Sequence, residues 1–116
     1  MIDILNFTAC MLTIGFGMFG IVAPRFTADA LDLVPSRSSM GLSEMRASVG
    51  GAFVIAGIAA IWINMPLAYA MIGFTFLGAV IGRVISCIFD NPPFRKLLIF
   101  SGIEAALAAW FLFANL

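Results

Sequence analysis

The sequence predicts an all-α integral membrane protein, a four-helix bundle with short loops, and three observations predict it. First, hydrophobic residues make up 63% of the 116 residues and charged ones 10%, with a mean hydropathy of +1.13. Soluble domains carry roughly 25% charged residues, and one soluble core of this size could not hide so much apolar surface. Second, the chain holds four apolar runs near the ~20 helical residues that cross a bilayer. Third, proline and charge clusters separate those runs and leave almost no residues over. Residues 1–116 therefore read as one domain, with helices at about 3–24, 44–64, 66–89 and 95–115.

Helix one follows from the uncharged stretch of residues 4–24, and Pro24 with Arg25 should close it. That stretch has no basic region before it and is too long for a signal-peptide core, so it reads as a retained helix. In the next connection, "TADALDLV" puts Ala28, Leu31 and Val34 on one helical side and Asp29 and Asp32 off it. A short helix lying at the membrane surface is expected there, ended by Pro35. "SRSSMG" reads as a flexible polar loop, with Ser43 as N-cap of helix two. The second apolar run covers residues 47–63, and Asn64-Met65-Pro66 makes a tight turn. The third covers 67–89, interrupted only by Arg83. "DNPPFRK" is a turn whose prolines cannot continue a helix. The fourth runs from 97 to the C-terminus and carries one acid, Glu104.

Charge sets the expected topology. With four crossings, Arg25, Arg37, Arg46, Arg95 and Lys96 share one face, and Arg83 lies near that end of its helix. The positive-inside rule makes that face cytoplasmic and puts both termini on the other side. Trp62, Tyr69 and Trp110 fall towards that opposite face, where interfacial aromatics anchor helices.

Residues 15–20, "GFGMFG", spell the G-x-G-x-x-G spacing of a dinucleotide-binding turn. Such a turn needs a preceding strand and water for the pyrophosphate. Gly15, Gly17 and Gly20 instead lie inside an uncharged membrane run, which excludes that role. Membrane helices associate through close packing of small residues, and every run here carries some. Thr13, Gly17 and Gly20 lie in the first, Ala47, Gly50, Gly51, Ala52, Ala56 and Ala60 in the second, Gly78, Gly82 and Ser86 in the third, and Ser101, Ala105 and Ala109 in the fourth. These seams predict packing within the chain or with neighbouring subunits. The twelve Phe and seven Met are then free to face lipid or fill gaps.

Charges inside apolar runs need an explanation, because an unpaired charge in hydrocarbon costs several kcal/mol. Arg83 and Glu104 lie at similar depth on antiparallel helices. With Glu44, Arg46 and Asp90 they form an expected polar cluster at the cytoplasmic end, stapling helices together. The chain has no histidine, which removes the commonest general base and metal ligand. Cys10 and Cys87 have no C-x-x-C spacing, and Ser86 and Ser101 have no base to activate them. No catalytic, cofactor or metal site is expected, and nothing in the charge balance points to nucleic acid.

"GLSEMRASVGG" resembles the Glu-x-Arg-Ala-x-Tyr-Gly-Gly signature of small four-helix bacterial membrane proteins classed only as a domain of unknown function. Gly82-Arg83, Asp90 and Glu104 match that family's other polar positions, while Val49 replaces its usual aromatic residue and Asn91 its usual glycine. The resemblance implies a bacterial inner membrane and no particular reaction. The expected function is a non-catalytic membrane subunit within a larger complex, an energy-transducing one among the candidates, or within a homo-oligomer. The alternative is a small transporter or ligand-binding protein using Arg83 and Glu104.

Overall fold

The computed structural model describes residues 2–34 and 36–116, and every regular element in it is helical. Pro35, expected to end a surface helix, lies outside the described residues. In order come α1 (Ile2–Val22), α2 (Pro24–Ala30), α3 (Met40–Glu44), a π-helical stretch (Met45–Gly51), α4 (Ala52–Ile63), α5 (Pro66–Phe89) and α6 (Phe94–Asn115). From α3 to α4 the helix is continuous, so four helices are long and apolar enough to cross a membrane: Asp3–Val22, Met40–Ile63, Pro66–Phe89 and Phe94–Asn115. The chain forms two compact units, Asp3–Ile63 and Asn64–Leu116.

In the first unit, Pro24 does not stop the chain from being helical. Lacking an N–H, it breaks the ladder at Ala23 (φ −127°, ψ 62°) and then occupies the first position of α2, where no donor is needed. The Thr27 hydroxyl, 2.9 Å from both the Phe19 and Ala23 carbonyls, bridges the break. α2 thus starts and ends earlier than the surface helix expected over 27–34. It closes at Asp32, whose φ of 59° is left-handed. Asp32 N–H donates to the Asp29 carbonyl and Leu33 N–H to that of Ala28, the paired bonds of a Schellman end. Of the expected apolar face only Ala28 is buried; Val34 lies beyond the helix and is 83% exposed.

The second crossing also starts early, at Met40, with Ser39 rather than Ser43 as its N-cap residue. Ser43 already donates its N–H to the Ser39 carbonyl and is inside the helix. Its π-helical stretch changes which small residues meet α1. The Ala52 N–H reaches back five residues to the Ala47 carbonyl. Residues five apart stand about 140° apart on an α-helix, but the wider π turn brings them closer. Met45 and Gly50 can therefore both face Gly20. A Cβ on Gly20 would lie 2.8 Å from Gly50 N and 2.9 Å from the Met45 oxygen, and one on Gly17 would lie 2.7 Å from the Gly50 oxygen. Further along, Gly57 sits against Ile14 and the Cys10 carbonyl. The seam on this helix is the expected Gly50 together with Val54 and Gly57; of the other expected small residues Ala60 is buried, whereas Ala47 and Ala52 are exposed. Gly51 has only an ordinary contact, its own helix's Arg46 oxygen at 3.5 Å. Gly15 has nothing within 4 Å, because it faces away from α4.

The second unit is the antiparallel pair α5 and α6. Asn64 (φ 51°) precedes it, and the Tyr69 hydroxyl donates to Asn64 Oδ1 at 2.8 Å, tying the first turn of α5 to that corner. Close contact here uses Gly73, which sequence reasoning passed over; its Cβ would meet Phe111 Cβ at 2.8 Å. Gly78 and Gly82 have nothing within 4 Å among the described residues of this unit and make no close contact with α6.

Leucine at Gly20 or Gly50 should destabilise the first unit by about 3 kcal/mol, the upper range for overpacking. Leucine at Gly15 should stay within about 0.5 kcal/mol of the parent. Denaturant titration in detergent, followed by far-ultraviolet circular dichroism, separates the two cases.

Candidate functional site

The most strongly interacting polar groups within the membrane-spanning helices lie in the α5–α6 pair. The Asp90–Pro93 corner makes that pair. Asp90 N–H closes α5 on the Ser86 carbonyl at 2.7 Å, Asn91 turns left-handed (φ 53°), and Pro93 caps α6. Asparagine tolerates this left-handed conformation better than other non-glycine residues.

Measured from the Gly73–Phe111 contact, Arg83 lies ten residues towards the corner and Glu104 seven, or about 15 and 10.5 Å at 1.5 Å per residue. Glu104 is thus the more distant from the corner, and Arg83 reaches it across the pair. Arg83 Nε donates to Glu104 Oε1, and Nη2 to Oε2 at 3.3 Å. This side-on fork commits both carboxylate oxygens. Phe100, one turn before Glu104, places its ring centroid 5.6 Å from the guanidinium carbon. α6 therefore offers Arg83 a carboxylate and an aromatic face one turn apart. The side chains are 31% and 18% exposed, so the pair is covered but not enclosed.

The other expected members of the cluster are described each within its own unit. Asp90 is exposed at the end of α5. Glu44 Oε2 accepts from the Ser48 hydroxyl, one turn on in the same helix, at 2.7 Å. Arg46 Nη1 donates to the Ile21 carbonyl at 2.5 Å. That carbonyl is among those freed by the break at Ala23, so Arg46 serves as a C-cap for α1 supplied by another helix. Pro24 was the available signal for this, since a proline frees carbonyls three to four residues before it. Phe100 could have been found from its four-residue spacing to Glu104. Among the described residues no group of His, Cys, Asp or Glu could hold a metal ion. Within each unit one arginine joins neighbouring helices: Arg83 joins α5 to α6 through Glu104, and Arg46 joins the second crossing to α1.

Four membrane-length helices with polar groups paired inside them define a multi-pass helical membrane protein. The chain belongs to the family described as "Domain of unknown function (DUF4345)", whose model matches residues 3–115. No curated protein and no solved structure matches it.

Glu104→Gln should destabilise the α5–α6 pair by about 2 kcal/mol, below the ~3–5 kcal/mol of an enclosed pair because this one is partly exposed. Adding Arg83→Gln should recover part of that loss, since the guanidinium no longer lacks a counter-charge. Thermal unfolding of the single and double variants in detergent measures the coupling; strictly additive losses would mean the two groups act independently.

Proposed function

We propose that this chain is a small non-catalytic membrane subunit that packs against further membrane helices, in a larger complex or in copies of itself. One observation carries the reading. Glycine costs about 0.5–1 kcal/mol relative to alanine in a helix interior. In the first unit Gly17, Gly20, Gly50 and Gly57 recover that cost through backbone contact. Gly15, Gly78, Gly82 and Gly102 are equally helical, yet among the described residues of its own unit a Cβ on any of them would meet nothing within 4 Å. On α5, Gly78 and Gly82 share a side with Thr75 and Ser86, a small and weakly polar strip suited to another helix. A helix from outside the unit, in another subunit or a second copy, is the contact proposed for them.

The Arg83–Glu104 geometry favours a structural part for these residues over the transporter reading. A carboxylate held by both oxygens is poorly placed to exchange protons or ligand. We place the protein in a bacterial inner membrane, with both termini periplasmic. This rests on the resemblance of its 41–51 segment and on the gathering of its cations at one end of the crossings.

Gly78→Leu with Gly82→Leu should reduce the assembled size of protein extracted gently from native membranes while leaving helix content unchanged, as read by native mass spectrometry and circular dichroism. A wild-type chain recovered only as a monomer would sink the proposal. Separately, alkaline phosphatase fused to the C-terminus should be active in a bacterial host, and an inactive fusion would reverse the topology.

A further inference from the structure

The first turns of the Met40–Ile63 helix carry a shallow cavity of about 580 Å³, lined by Ser39, Leu42, Ser43, Arg46 and Ala47. It lies wholly within the first unit. We propose that this cavity binds the phosphate of an anionic phospholipid headgroup.

Three features lead there. The first is depth. Twenty-four residues make a helix about 36 Å long, some 6 Å more than the ~30 Å hydrocarbon core. Its unbroken apolar run begins only at Ala47. Arg46 therefore stands at the hydrocarbon boundary and Ser39 and Ser43 just outside it, where lipid phosphates lie. The second is a cation held in place. Arg46 gives one N–H of Nη1 to the Ile21 carbonyl, which fixes the guanidinium, and its remaining donors have no partner among the described residues. Arginine presents those donors in a planar fork that suits phosphate oxygens. The third is the pair of hydroxyls. Ser39, Ser43 and Arg46 follow one another at spacings of four and three and line the same cavity, so two O–H donors stand beside the guanidinium. The nearby carboxylate of Glu44 does not line the cavity and is engaged by Ser48. A cavity of this size falls in the ordinary range for ligand sites, about 300–1,000 Å³, and leaves room for the glycerol beside the phosphate.

The experiment is native mass spectrometry of the full chain released from vesicles of phosphatidylcholine and phosphatidylglycerol. The parent should retain phosphatidylglycerol preferentially, and less of it as ionic strength rises. Ser39→Ala with Ser43→Ala leaves the Arg46–Ile21 contact untouched and should lower that retention about tenfold, the effect of losing hydrogen bonds to a charged group. Arg46→Gln should abolish it, with circular dichroism confirming that the helices persist. Equal retention by the parent and the double serine variant would overturn the proposal. A second arm adds inorganic phosphate to the same vesicles. Displacement of the lipid by the free ion at low concentration would reassign the cavity to soluble phosphate and overturn the lipid assignment.

Discussion

Hydrocarbon offers no water to a backbone carbonyl, and the break at the end of α1 is governed by that constraint. A proline inside an apolar stretch frees carbonyls that must find donors nearby. Here the Arg46 guanidinium, arriving from another helix, serves the Ile21 carbonyl, while the Thr27 hydroxyl reinforces the Phe19 and Ala23 carbonyls, which already accept backbone N–H groups on either side of the break. The contact between α1 and the second crossing follows from this arrangement. Arg46 can reach Ile21 only if the two helices are close, and Gly20 and Gly50 allow the approach. Capping and close packing are thus one arrangement seen from its two ends.

The same constraint explains how charges are tolerated. Arg83 and Glu104 meet each other rather than extending to the surface, and the ring of Phe100 covers part of the guanidinium. An ion pair of this kind contributes little net stability over an apolar isostere. What it does contribute is register: a slip of one helix past the other would separate the two charges. Gly73 against Phe111 fixes the same register by shape.

The crossings were legible in the sequence because length and hydropathy alone set them, and the prolines and charges bound them. The seams were legible only in part. Gly17 and Gly20 stand out within an uncharged run, but which side of the second crossing they meet depends on a π turn. No periodicity argument anticipates such a turn, because it changes the period itself. Ala47 and Ala52 are exposed for that reason, while Gly50, also among the expected small residues, makes the contact. The pairing of Arg83 with Glu104 follows from antiparallel neighbours and comparable depth. The part of Arg46 does not, because its acceptor is a backbone carbonyl and carbonyls carry no sequence signature. Ser39 displaced Ser43 as the cap residue for a simpler reason: the helix gains another turn once it extends beyond the apolar run.

Three described non-glycine residues have left-handed backbones, Asp32, Asn64 and Asn91, and no described glycine does. The chain therefore turns its corners with acid and amide side chains and keeps glycine for the interiors of helices. A saturation mutagenesis map of this protein would invert the usual correspondence. Intolerance at glycine would trace where helices touch, inside the chain or beyond it, and the sharpest bends of the backbone would be marked by a preference for asparagine and aspartate.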